Sequence, residues 1–172
     1  CRIEDDSKRW LIALISDTGL RLAEAVGLSI EDLYLDEELP YVDIRPHPWR
    51  TLKTKGSQRK LPLVGEALWA AQRIKASNPQ GNFAFPEYTN AKVCNANSAS
   101  ATLNKWIHTN VAKDYVIHSL RHSMRDRLRA VQCPSEIIDQ IGGWSSRSIG
   151  ERYGEGYTIR IVYRWLQKIC DP

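Results

Sequence analysis

The sequence predicts a mostly helical α+β domain with a small three-stranded antiparallel sheet on one side. The first observation is the order of hydrophobic periods. Helix-like spacing comes first, strand-like segments fill residues 33–63, and helix-like spacing then runs to the end. The second is size: 172 residues suit one compact domain, able to bury a core without metals or disulfides. The third is composition: 42% hydrophobic residues, no internal repeat and no low-complexity segment, as in a folded globular chain.

Each element follows from local chemistry. Residues 7–16, with the apolar run Trp10–Ile15, read as a largely buried helix. Asp17-Thr18-Gly19 breaks it, with Gly19 suited to a turn at positive φ. Residues 21–27 read as a short helix ending at Gly27, and Ser29 caps a further turn through Glu31-Asp32. Leu33–Leu35, Tyr41–Arg45 and the stretch ending Lys60-Leu61-Pro62-Leu63 are strand-like, with Lys55-Gly56-Ser57-Gln58 as the last turn. Gly65–Lys75 reads as an amphipathic helix through Leu68, Ala71 and Ile74, followed by a loop at 78–82. Residues 88–98 are polar and read as a surface connection, and 99–111 resume helical spacing. Leu120, Met124, Leu128 and Val131 fall on one helix face. Pro134 opens another helix through Ile137, Ile138 and Ile141, which Gly142-Gly143 ends. A short helix is expected over Ser148–Tyr153, and a last amphipathic one over Ile161–Ile169.

No apolar run approaches the roughly 20 residues that span a bilayer, and no signal peptide is visible, so the expected setting is cytoplasmic. The four cysteines match no common zinc spacing and read as reduced thiols. No metal site or cofactor is expected. The chain starts at Cys1 and reads as a piece of a longer protein. Net charge is +4, with 24 basic residues against 20 acidic ones, so a nucleic-acid face requires charge gathered on one side.

The chemistry-bearing residues are individually ambiguous. His118 and Arg121 stand at i and i+3 of a helix start, at the rim of a core to which Leu120 and Met124 contribute. Arg127 and Arg129 read as a solvated basic face. Arg21 and Glu24 make an i, i+3 pair: an exposed salt bridge of little worth, or a carboxylate that orients a guanidinium. Lys53 and Lys55 near a hairpin turn are edge decoration or a mobile general acid. Trp144 follows two glycines and offers one N–H donor, or simply fills the core. Tyr153 is one of seven tyrosines. Together these residues supply what a metal-free attack on a phosphodiester needs: arginines for the non-bridging oxygens, a histidine for proton exchange, and a tyrosine that can be covalently loaded.

In this order the segments resemble the catalytic domain of the tyrosine recombinases, the phage integrase family. Thr18-Gly19-Leu20-Arg21-Leu22-Ala23-Glu24 resembles the first arginine box, and Leu52–Leu63 the hairpin with the catalytic lysine. His118–Ser123 resembles the second box, and Ile141-Gly142-Gly143-Trp144 the Leu-Gly-His segment with Trp in place of His. Arg152-Tyr153, with Tyr153 nine positions after Trp144, resembles the nucleophile segment. Tyr157 is the competing tyrosine, in a Gly-rich stretch expected to be poorly positioned.

The resemblance implies one catalytic domain over 1–172, without the family's N-terminal DNA-clamping domain. It implies a site-specific recombinase or integrase that cleaves and rejoins DNA through a 3′-phosphotyrosyl link, without metal or ATP. Tyr153 is the implied nucleophile. Arg21 and Arg121 clamp the phosphate, His118 binds it or takes the tyrosine proton, and Trp144 donates an N–H and packs. Lys53 is the general acid with Lys55 as fallback, and Glu24 supports. Implied partners are double-stranded DNA attachment sites, a homo-tetramer on DNA for the full-length protein with this domain alone a possible monomer, and accessory DNA-bending proteins. The C-terminal stripe either docks on a neighbouring subunit or packs within its own chain. Alternatives are a type IB topoisomerase-like relaxing enzyme and a DNA-binding module with an unused site.

Overall fold

The computed structural model describes residues 4–144 and 156–170. Helix α1 (Ser7–Thr18) is capped by Asp6, which accepts from the Arg9 amide at 3.0 Å, and ends at left-handed Gly19. Its Leu11–Ile15 run is wholly buried, which makes it the central helix, packed by α3 (Gly65–Ser77) and α5 (Ile117–Ala130). A Cβ at Gly19 would strike the buried Met124 side chain, so the close approach of α1's end to α5 requires glycine there.

Helix α2 (Leu22–Val26) is followed by a 3₁₀ turn (Ile30–Asp32) with Ser29 as its cap: the Glu31 amide donates to Ser29 Oγ, and Asp32 accepts from the Ser29 amide at 2.9 Å. The sheet is β1 (Leu33–Tyr34), β2 (Tyr41–Ile44) and β3 (Arg59–Pro62), antiparallel in chain order. Val42 faces Leu61 and Ile44 faces Arg59.

Helix α4 (Ala96–Asn110) begins earlier than its apolar spacing suggests, because Asn95 caps the Ser98 amide at 3.1 Å. The polar stretch before it is not wholly a surface connection. Thr89 is buried, and its hydroxyl donates to the Val26 carbonyl at 2.8 Å. On α5 the inward positions are Ile117, Arg121, Met124 and Leu128; Leu120 is only half-buried. Helix α6 (Ser135–Gly142) follows Pro134, and the segment expected as a helix at Ser148–Tyr153 lies outside the described residues. Helix α7 (Ile159–Gln167) buries Val162 and Leu166 within its own chain and packs against β3. Among the described residues no helix is long and apolar enough to cross a membrane.

Candidate active site

The site is organised by the C-terminus of α6. Gly143 takes a left-handed conformation (φ 59°), its amide donating to Gln140 and that of Trp144 to Asp139. This ending turns the chain away and leaves three successive carbonyls without a continuing helix. Each receives a different arginine. Arg59 Nε donates to Ile141 O at 2.8 Å, Arg121 Nη2 to Gly142 O, and Arg21 Nη2 to Gly143 O at 2.9 Å. A helix C-terminus carries partial negative charge, so cations are favoured there. Residues distant in sequence are thereby set side by side.

Arg121 is almost fully buried, an inward residue of α5 rather than one at a rim. Its second arm donates to Gly19 O at the end of α1, so one guanidinium ties two helix ends together. The indole of Trp144 lies over it, 4.3 Å from ring centroid to guanidinium carbon, and Arg125 sits 4.8 Å from the same ring. Burial, then the neighbouring charge of Arg21, pulls the Arg121 pKa down to about 10, which still leaves it charged at neutral pH.

Arg21 precedes α2 and is partly exposed. Its Nη1 donates to Glu24 Oε1 at 2.7 Å and to Ser57 Oγ at 3.3 Å. Glu24 is not part of an exposed surface pair: it is buried, and it also accepts from the Arg21 amide and from Arg59 Nη2, both at 3.0 Å. Burial raises the Glu24 pKa, but the Arg59 charge and the bonds from Arg59 and Arg21 outweigh it and hold the carboxyl below its ordinary value. The three guanidiniums exceed the one carboxylate between them, leaving surplus positive charge where an anion would bind.

His118 is exposed beside this cluster, edge-on to His122 at 4.9 Å between ring centroids. Burial, then the charges of His122, Arg121 and Arg21, lowers its pKa, so the neutral imidazole predominates at neutral pH. Lys53 is exposed on the segment leading into the 3₁₀ turn Lys55–Ser57. The adjacent Thr54 hydroxyl lies 3.1 Å from Ser57 Oγ, which links this segment to Arg21. The Lys55 side chain and Tyr153 lie outside the described residues.

Arg127, Tyr157 and Arg59 also differ from what the sequence pattern suggests. Arg127 is not solvated decoration: it pairs with buried Asp17 at 3.1 Å and donates to Ser16 O, while Arg129 is exposed beside Asp126. Tyr157 is not loosely held: Gln140 accepts from its amide at 2.8 Å and donates to its carbonyl at 2.7 Å, and its hydroxyl donates to Glu136. Arg59, which no motif singles out, is buried among these arginines. Its only sequence signal is its place two residues before buried Leu61 on β3.

Among the described residues no group of three or more His, Cys, Asp or Glu side chains could hold a metal ion. Over 148 residues the chain is 26% identical to Tyrosine recombinase XerC of Neisseria meningitidis serogroup B and 24% identical to that of Pelobacter propionicus. These matches cover 83% and 84% of this chain and 46% of each relative, so the chain spans less than half the length of the curated relatives it matches. Its fold is similar to that of the Tn1549 transposon integrase solved with circular intermediate DNA, at a TM-score of 0.61 and 20% identity, covering 93% of this chain and 59% of that one. The same integrase solved with transposon right end DNA gives 0.56 at 20% identity, covering 90% and 56%. Residues 3–158 match the Phage integrase family, and the chain belongs to that family.

Proposed function

We propose that this domain breaks and rejoins DNA at specific sites through a 3′-phosphotyrosyl intermediate, as the strand-transfer core of an integrase or recombinase. The observation that carries this reading is the pairing of Arg21 and Arg121 on the adjacent carbonyls of Gly143 and Gly142. Two guanidiniums held side by side suit the two non-bridging oxygens of one phosphodiester. Each guanidinium has five N–H donors, so anchoring to the backbone leaves capacity for a phosphate.

In this mechanism the Tyr153 oxygen bonds to phosphorus and the P–O5′ bond breaks. The tyrosine proton leaves with His118 or solvent, and Lys53 delivers a proton to the departing 5′ oxygen. Lys55 is the second candidate for that proton. Attack by a 5′ hydroxyl of another strand reverses these steps and releases the tyrosine. Negative charge that builds on the phosphate meets Arg21 and Arg121 already in place, and such preorganised donors are worth roughly 3 kcal/mol each. Trp144 holds the Arg121 plane. The reaction so written needs neither metal nor cofactor. The Glu136 contact of the Tyr157 hydroxyl engages that tyrosine elsewhere, which favours Tyr153.

The partners in this reading are duplex attachment sites and further copies of the full-length protein on DNA. Incubation with two plasmids that carry candidate element ends should yield joined products. Efficient relaxation of a supercoiled plasmid that lacks such ends would favour a type IB topoisomerase-like enzyme instead.

A further inference from the structure

Arg59 is largely buried beside the proposed phosphate clamp. Its donors are directed into the protein. Nε reaches Ile141 O at 2.8 Å, Nη1 reaches Ser57 O at 2.6 Å, and Nη2 reaches Glu24 Oε2 at 3.0 Å. All three partners also bear on Arg21. Glu24 accepts from Arg21 Nη1 through its other oxygen, Ser57 accepts from the same nitrogen through Oγ, and Ile141 begins the carbonyl row that holds Arg21 at Gly143. Gly143 leaves room for this contact, since a Cβ there would stand 2.7 Å from Arg59 Nη1. Burial lowers the Arg59 pKa, and Glu24 opposes that shift by charge and by hydrogen bond.

We propose that Arg59 is a positioning residue: it fixes Glu24, Ser57 and the α6 terminus together and so sets Arg21 against Arg121. This rests on the reaction proposed above. It acts through Arg21 because each of its three nitrogens is engaged by a protein acceptor that also bears on Arg21. Its planar fork matches two carbonyls and a carboxylate at once, which a lysine cannot do.

The test is a double-mutant cycle on covalent adduct formation, with a nicked duplex carrying an element end at saturating concentration. Arg59→Lys should lower the adduct rate at least about tenfold. DNA affinity and the midpoint of thermal unfolding should change little by comparison. In an Arg21→Lys background the same substitution should cost less than about twofold, because the residue it acts through is already altered. Equal losses in both backgrounds would overturn the proposal, and so would an Arg59→Lys protein that cleaves at the wild-type rate. If Arg59→Lys does not fold, Arg59→Gln, which leaves Glu24 paired with Arg21, takes its place in the cycle. Absence of any adduct with the wild-type protein would instead refute the reaction on which the proposal rests.

Discussion

Glu24 joins Arg21 and Arg59 through both carboxylate oxygens while almost fully removed from water. A carboxylate so placed decides whether the neighbouring guanidiniums are tolerated. Glu24→Gln keeps the shape but leaves Arg59 buried without its counter-charge, and removal of one partner of a buried pair costs about 3–5 kcal/mol. Urea unfolding should show this loss. Because Glu24's carboxyl is held below its ordinary value, its contribution is present above about pH 4.3 and is lost as pH falls through the folded value. The variant should lack that part of the acid slope. His118 gives a loss of the same sign at higher pH, for a different reason: its charged form is disfavoured. Its pKa is depressed, so the folded state resists protonation, and stability falls as pH drops from about 6.5 toward the folded value. An NMR titration should give a midpoint below 6.5 for the free imidazole reference, and His122→Ala should raise it. Lys53 has a kinetic signature. Lys53→Ala should slow cleavage of an ordinary strand much more than of one with a 5′-bridging phosphorothiolate, whose sulfur leaves without a proton; equal losses would exclude the general-acid role.

The α6 terminus shows at the scale of one element what sequence patterns carry and what they omit. Ile137, Ile138 and Ile141 mark the helix because buried spacing is written in side chains, and Gly143 marks its end. The capture of three arginines was not legible, because backbone carbonyls have no sequence signature. Arg121 was legible as a candidate but not as an inward residue, since charged side chains are read as outward unless a partner is known. The start of α4 was missed because Asn95 caps from within a polar stretch. Both readings of the C-terminal stripe began from its apolar spacing, and Val162 and Leu166 take it into the core of the same chain. Leu166→Ala should therefore destabilise the domain by about 2–5 kcal/mol, measured by thermal or urea unfolding. No change in stability would mean that α7 gains its packing elsewhere.

Across the whole molecule, a net charge of only +4 conceals strong local asymmetry. Arg21, Arg59 and Arg121 converge from the end of α1, from β3 and from α5, which makes the fold a device for concentrating positive charge at one helix end. The sheet contributes Arg59 and carries the Lys53 segment to the same side. In the reaction proposed above, this charge serves a tyrosine that becomes covalently joined to DNA. The most direct measurement is peptide mapping after reaction with a nicked suicide duplex bearing an element end, in which the short leaving strand diffuses away. The expected result is a nucleotide on Tyr153, an adduct retained in Tyr157→Phe, and no adduct but intact DNA binding in Tyr153→Phe. A nucleotide found on Tyr157, or an adduct that persists in Tyr153→Phe, would contradict it.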